Sequence, residues 1–155
     1  MMKKYTAFVL LFAVALGAFA QTKPTAKKEQ DYYEIKTLPI PKEIYLEVGG
    51  LATMPDGRLA VSTRRGEIWI VENPYQKSSH QTYYRRFASG LHEVLGLAYK
   101  DGAFYCSQRG ELTKISDTDR DGVADLYGPI YQFELSGNYH EYTYGPVFDK
   151  NGDML

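Results

Sequence analysis

An internal repeat constrains the fold of this chain more than any other feature of its sequence. A glycine followed by two apolar residues recurs at Gly50, Gly96 and Gly145, which places the starts 46 and 49 residues apart. Each start is followed by an Asp-Gly or Asn-Gly pair, at residues 56–57, 101–102 and 151–152. These dipeptides favour tight hairpin turns, because glycine tolerates a positive φ. A fixed period of this length is typical of repeat architectures such as propellers.

Short runs with strand character lie between the turns of each repeat. In the first repeat we predict strands at residues 50–54, 58–63, 67–72 and 82–89, and in the second at 96–99, 103–108, 111–116 and 130–135. The run at residues 68–71 is apolar throughout, which predicts a strand covered on both faces. No helical periodicity occurs after residue 20. Four antiparallel strands per repeat predict a β-propeller blade, with an ordinary β-sandwich as the alternative.

The expected fold class is therefore all-β, built from blades of four antiparallel strands. Residues 43–155 would form the N-terminal part of a propeller, with about two and a half blades present. Residues 44–48 would supply an outer strand that closes the last blade of the ring. We accordingly expect this sequence to be an incomplete portion of a larger protein.

The first 20 residues predict an export signal. Two lysines precede 15 uncharged residues that end in Ala18-Phe19-Ala20, the pattern of a cleaved secretory signal. An uncleaved membrane anchor is the alternative, but the apolar run is shorter than the roughly 20 residues that a spanning helix needs. Residues 21–42 are read as a flexible leader. The mature protein is expected in the periplasm or outside the cell, without a later transmembrane segment.

Charge and cysteine content exclude several classes of function. The chain carries 18 basic and 19 acidic residues, so its charge balance gives no reason to expect a nucleic-acid partner. The single cysteine, Cys106, excludes an internal disulfide framework and a CxxCH haem attachment within this sequence. Its neighbours Phe104 and Tyr105 predict that Cys106 lies in a buried strand.

Residues 117–125 (DTDRDGVAD) resemble a calcium-binding loop. Carboxylates at positions 1, 3, 5 and 9, a glycine at position 6 and the carbonyl of position 7 would supply the ligands. These metal candidates are Asp117, Asp119, Asp121, Val123 and Asp125. Position 12 is Gly128, where an EF-hand has a bidentate glutamate, so we expect a shorter structural loop between the third and fourth strands. A solvated acidic turn without calcium is the alternative.

Two His-Glu pairs precede the innermost strands of successive repeats. The first is His92-Glu93 and the second is His140-Glu141, at similar distances before Gly96 and Gly145. In a propeller these connections open at one end of the central channel, so the pairs are expected to converge there. A neutral imidazole is a competent general base near pH 7, and the same groups could bind a metal. Loop residues that only bond to the backbone are the alternative.

These motifs together resemble the soluble quinoprotein glucose dehydrogenase superfamily, in particular exported bacterial sugar dehydrogenase-like propellers. The resemblance rests on residues 89–99 (SGLHEVLGLAY), 109–112 (RGEL), 117–122 (DTDRDG) and 137–145 (GNYHEYTYG). It implies a six-bladed propeller that oxidises a sugar or alcohol with pyrroloquinoline quinone, and a cytochrome c domain or protein as electron acceptor. It also implies that His140 is the base, with Glu141, His92 and Glu93 around it.

The sequence departs from that superfamily at one contact. A glutamine that touches the quinone falls near Leu91 or His92 here, so that contact is not reproduced. The rival interpretation is a non-catalytic propeller that binds a glycan or a protein partner through tyrosines. The candidate tyrosines are Tyr83, Tyr84, Tyr127, Tyr131, Tyr139, Tyr142 and Tyr144.

Overall fold

The computed structural model describes residues 26–76, 81–134, 137 and 142–155, and these residues form two four-stranded antiparallel sheets. The first sheet has the order β1-β2-β3-β4, with bounds Val48–Thr53, Leu59–Thr63, Ile68–Glu72 and Tyr83–Ala88. The second has the order β5-β6-β7-β8, with bounds Ala98–Lys100, Ala103–Ser107, Glu111–Ser116 and Leu126–Gln132. Consecutive strands are neighbours throughout both sheets. The prediction of an all-β fold with four-stranded antiparallel units is confirmed.

The chain divides into two compact units, Met1–Lys36 and Thr37–Leu155. The described part of the first unit contains one 3-10 turn, Glu29–Asp31. Both sheets belong to the second unit. Within the described residues, none of the helical segments has the length and apolar character needed to cross a membrane. The predicted signal, residues 1–20, lies outside the described residues.

The predicted tight turns are present. The pair Lys100 and Ala103 closes a two-residue hairpin at Asp101-Gly102, in which both turn residues have positive φ (50° and 81°). This is the requirement of a type I′ turn, whose twist matches that of the flanking strands. The predicted long connection at residues 117–125 joins β7 to β8, also as expected.

One strand prediction needs correction, and another stays a prediction. The last strand of the second sheet starts at Leu126 rather than at residue 130, because pairing with β7 resumes directly after the acidic loop, where Leu126 pairs with Ser116. Residues 44–47 are not in a strand, and Val48 is the first residue of β1, where it pairs with Thr63. The predicted outer strand at residues 44–48 would pair with the last blade of a complete ring, which the described residues do not include, so it stays a prediction.

The two sheets share one hydrophobic core. Ile68 and Ile70 of β3 and Phe104 and Ile115 of the second sheet are all at most 1% exposed and belong to the same cluster. Phe87 of β4 meets Phe104 edge to face at a centroid distance of 5.0 Å. Burial of each such side chain contributes about 1.5–3 kcal/mol. This packing fixes the second sheet against the first.

Cys106 is a completely buried residue of β6, as the sequence predicts. Burial raises the pKa of its thiol to about 12, and the negative charge of Glu111 adds to that effect. The thiol is therefore protonated at neutral pH and behaves as a small apolar side chain.

The repeat glycines bring successive repeats into backbone contact. A Cβ at Gly50 would lie 2.8 Å from the backbone of Gly96 and Leu97, and a Cβ at Gly96 would lie 1.9 Å from the carbonyl oxygen of Gly145. Equivalent residues of three repeats are thus stacked one upon the next. Only glycine permits this approach, which explains the residue type at the start of each repeat.

Candidate functional site

The first His-Glu pair lies in the connection from β4 to β5, at the end of the sheets that we call the His92 end. This end carries the turn between β2 and β3, the turn between β6 and β7, and residues 89–95. The backbone N–H of His92 donates to Oε1 of Gln108 at 2.5 Å, and the His92 carbonyl accepts from the N–H of Arg109 at 3.2 Å. The connection is therefore held on both sides by the turn of the second sheet.

Glu93 joins the two turns of the His92 end. Its carboxylate accepts from Arg64, in the turn of the first sheet, at 3.4 Å and from Arg109, in the turn of the second, at 3.3 Å. Glu93 has a φ of +46°, a backbone conformation that costs free energy for a residue with a side chain. In this conformation the carboxylate of Glu93 lies between the turns of the two sheets, where it forms both ion pairs.

The electrostatics of Glu93 make it a poor base. Partial burial raises the pKa of its carboxyl, but the hydrogen bonds and charges of Arg109 and Arg64 outweigh that effect and hold the pKa below its ordinary value. Glu93 is accordingly ionised at neutral pH and engaged by two guanidiniums. Its role at this end is to hold the connection in place, which also keeps a negative charge beside His92.

His92 is the accessible titratable group of the described pair. Its side chain is 67% exposed, and its Nε2 lies 3.8 Å from Oε2 of Glu93. That separation is at the outer limit of an ion pair and too long for a hydrogen bond. The imidazole is therefore reachable by solvent or by a bound molecule, with the Glu93 carboxylate adjacent.

The second His-Glu pair, His140 and Glu141, lies outside the described residues, as does Tyr139. The described residue nearest in sequence is Tyr142, whose ring lies 5.5 Å from the guanidinium of Arg109. This cation–π contact attaches the third repeat to the turn of the second sheet. Arg109 thus contacts both the Glu93 carboxylate and the segment that follows His140.

The acidic loop lies at the opposite end of the sheets, between the end of β7 and the start of β8. Asp117, Asp119 and Asp121 each offer a carboxylate oxygen, and these oxygens lie within 4.8 Å of one another. Asp117 also accepts from the backbone N–H groups of Arg120 and Gly122, at 2.7 and 2.9 Å. The loop is therefore ordered by its own hydrogen bonds, and three carboxylates converge within it.

The other two metal candidates are arranged differently. Asp125 accepts from both the backbone N–H and the hydroxyl of Thr118, and it is not part of the converging group. These hydrogen bonds from Thr118 lower the pKa of the Asp125 carboxyl. Val123 is exposed, and its N–H donates to Asp121 at 2.7 Å. The sequence grouped five residues, and the structure brings three of their side chains together.

The acidic loop also contacts the first sheet. Arg85 of β4 donates to the carbonyl of Gly122, and the N–H of Ala124 donates to the carbonyl of Phe87 at 2.7 Å. A cavity of about 550 Å³ lies beneath the loop, between the two sheets. The loop therefore fastens the two sheets together at this end.

Sequence reasoning missed three residues that organise the His92 end. Arg64, Gln108 and Arg109 all lie in the turns between the second and third strands, and all contact His92 or Glu93. The repeated Arg-Gly-Glu turn was the available signal. The recurrence of this turn indicated a hairpin in each repeat. The sequence did not indicate that side chains of these turns contact the His92-Glu93 connection, because that contact depends on how the two sheets pack.

Comparison with known proteins gives no match for this chain, whether to a protein family, to a characterised protein or to a solved structure.

Proposed function

We propose that the two sheets are consecutive blades of a β-propeller, and that this exported, sugar dehydrogenase-like protein oxidises a sugar or related alcohol at its His92 end. The observation that carries the proposal is the glycine stack. The contact from Gly50 to Gly96 is repeated from Gly96 to Gly145, so similar steps relate successive repeats. Radial repetition of four-stranded sheets about a central axis is the arrangement of a propeller.

The contact of Arg109 with Tyr142 supports a common location for the two His-Glu pairs. Tyr142 follows His140 by two positions, and two residues of extended chain span at most about 7 Å. Since Arg109 also contacts Glu93, the proposal brings His140 to the end of the sheets that carries His92. A substrate held between two blades would meet both imidazoles there.

In this proposal His140 is the general base and Glu93 is a positioning residue. His140 takes the proton of a substrate hydroxyl, and the oxidation would need a two-electron acceptor, which the described residues do not supply, to take the hydride from the carbon that bears this hydroxyl. Because Glu93 is ionised and engaged by Arg64 and Arg109, it does not compete for that proton.

The resemblance implies pyrroloquinoline quinone as the oxidant, a cofactor that supplies two-electron chemistry and carries several carboxylates. The described residues do not fit it by themselves. Two guanidiniums at the His92 end, those of Arg64 and Arg109, already contact Glu93, and the quinone-contacting glutamine of the superfamily falls near Leu91 or His92. We therefore derive no step through the quinone.

The test is reduction of an artificial electron acceptor by the intact protein, supplied with the quinone, calcium and a panel of sugars and alcohols. We expect His140→Ala to lower turnover by about 10²–10⁴-fold, the usual effect of removing a general base. His80→Ala is the matched control, because His80 belongs to neither His-Glu pair. Unchanged turnover in His140→Ala would refute the assigned base, and no acceptor reduction by the wild type would refute the oxidation.

Binding of a glycan or a protein without catalysis is the second candidate. The exposure of four of the candidate tyrosines favours it: Tyr83, Tyr127, Tyr131 and Tyr144 are all at least 40% exposed. Exposed tyrosine rings can stack on sugars or anchor a protein partner. Saturable binding to a glycan array, weakened by Tyr131→Ala and accompanied by no acceptor reduction, would favour this candidate over the enzyme.

A further inference from the structure

Each sheet has a glutamate at the same position after the turn between its second and third strands, but the side chains around the two glutamates differ. Glu67 and Glu111 occupy the same place, since the Glu67 carbonyl accepts from the N–H of Thr63 and the Glu111 carbonyl accepts from the N–H of Gln108, each at 2.8 Å. Both follow the Arg-Gly pair of their turn. The surroundings of these two carboxylates can therefore be compared side chain by side chain.

In the first sheet the carboxylate of Glu67 is held by two nitrogen donors. The indole Nε1 of Trp69 donates to one oxygen at 2.9 Å, and the guanidinium of Arg86 forms an ion pair with the other at 3.3 Å. Trp69 and Arg86 are partners in the register of β3 and β4. The first sheet thus fills this place with an indole ring and a guanidinium.

In the second sheet both of those side chains are replaced by smaller, uncharged ones. Register places Thr113 where the first sheet has Trp69, and Pro129 where it has Arg86. A cleft of about 400 Å³ lies here, lined by Ser89, Leu91, Gln108, Glu111, Thr113 and Tyr127. It is open to solvent along the end of β4.

The side chains nearest Glu111 in this cleft are hydrogen-bonded to its carboxylate and to one another. The hydroxyl of Thr113 donates to Oε1 of Glu111 at 2.6 Å, and the amide Nε2 of Gln108 donates to Glu111 and to Thr113. Ser89 and Tyr127 also bring hydroxyls to the lining, and the Tyr127 hydroxyl accepts from the backbone N–H of Ser89 at 3.4 Å. Among the residues that the structure describes, no cation lies within ion-pair distance of Glu111.

We propose that this cleft binds a guanidinium group, in the place that Trp69 and Arg86 fill on the first sheet. Because Oε1 of Glu111 already accepts from Thr113 and Gln108, the guanidinium would donate to Oε2, and its planar face, unlike a compact ammonium, can stack on an aromatic ring. The Tyr127 ring lines the same cleft and can contact the face of the guanidinium. The ligand is either a free guanidinium compound or an arginine displayed by a polypeptide. The inference is independent of the proposed oxidation.

The test is titration calorimetry on the intact chain with two probes, agmatine and a blocked Gly-Arg-Gly peptide. A blocked Gly-Lys-Gly peptide serves as the ammonium control. We expect one saturable site for at least one guanidinium probe, with weaker binding of the lysine peptide. Glu111→Gln is expected to weaken binding by at least about tenfold, because it removes the charge-assisted hydrogen bonds. Glu67→Gln is the matched control and should leave binding unchanged.

Two further variants keep the proposal testable if Glu111→Gln does not fold. Pro129→Arg places an internal guanidinium beside Glu111 at an exposed position of β8, and Thr113→Trp fills the cleft. Both should abolish binding while circular dichroism confirms a folded chain. Binding of agmatine alone would identify a free compound, and binding of the peptide alone a displayed arginine. Absence of saturable binding, equal binding of the lysine peptide, or loss of binding in Glu67→Gln would overturn the proposal.

Discussion

Replacing Gly96 by alanine tests the stacking of the repeats directly. The added Cβ would lie 1.9 Å from the Gly145 carbonyl oxygen and 2.6 and 2.7 Å from its nitrogen and carbonyl carbon. These neighbours are backbone atoms, so no side-chain rotation relieves the clash. One of the two segments must move by more than an ångström for an ordinary contact of 3.4–4 Å to be restored.

The expected cost follows from that geometry. Overpacking of a close-packed region typically costs about 1–3 kcal/mol, and a clash with backbone belongs at the upper end, so we expect Gly96→Ala to lower the free energy of unfolding by about 3 kcal/mol. That loss corresponds to a fall in the melting temperature of about 10 °C. Gly50→Ala should cost less, because its nearest backbone contacts are at 2.8 Å.

Urea denaturation followed by circular dichroism measures these differences. Gly128→Ala in β8 is the control, since its Cβ would meet only the Lys114 carbonyl oxygen at 3.9 Å, an ordinary contact. We expect its stability to stay within about 0.5 kcal/mol of the wild type. If Gly96→Ala were as stable as Gly128→Ala, the third repeat would not approach β5 as described, and the main support for the propeller would be lost.

Three further outcomes are expected. Arg109 and Arg64 hold the pKa of Glu93 below its ordinary value of 4.5, so the stabilisation that Glu93 contributes should be fully present above about pH 5 and should disappear as the pH falls through the lowered pKa. In urea titrations, Glu93→Gln should therefore lower the free energy of unfolding at pH 7 more than at pH 3, and an equal loss at both pH values would contradict this. If the acidic loop binds calcium, calorimetry on the intact protein should show calcium binding that Asp119→Ala removes. Equal heats of calcium titration for the wild type and the variant would refute a calcium site in this loop. Cys106, with its pKa raised to about 12 by burial, should react with a thiol reagent at pH 8 only as fast as the protein unfolds, so rapid labelling of the native state would show that β6 is accessible.

The secondary structure was largely predictable because its signals are local. The Asp101-Gly102 pair specifies its turn through the backbone freedom of two residues, and the apolar run at 68–71 specifies a buried strand through composition alone. The start of β8 was placed four residues too late. Gly128 and Pro129 have the composition of a turn but lie inside β8, and pairing of Leu126 with Ser116 decides where the strand begins.

The candidate sites were only partly predictable, because their contacts join residues far apart in the chain. The spacing of Asp117, Asp119 and Asp121 was enough to predict that they converge, since one loop carries all three. Nothing in the local sequence distinguished Asp125, which turns to Thr118 instead. The partners of Glu93 are 29 residues before it and 16 after it, beyond the reach of any local pattern.

The sequence by itself determined the period, the strand content and the turns of this protein, because each depends on interactions between residues close along the chain. Only the tertiary structure decided what the repeats do to one another. It places the repeat glycines in contact, since their lack of a Cβ matters only when another backbone approaches. It also gives two carboxylates different surroundings: Glu93 forms ion pairs with two arginines, whereas Glu111 lines a cleft. The reason is that burial and the packing of the two sheets determine which groups surround a carboxylate.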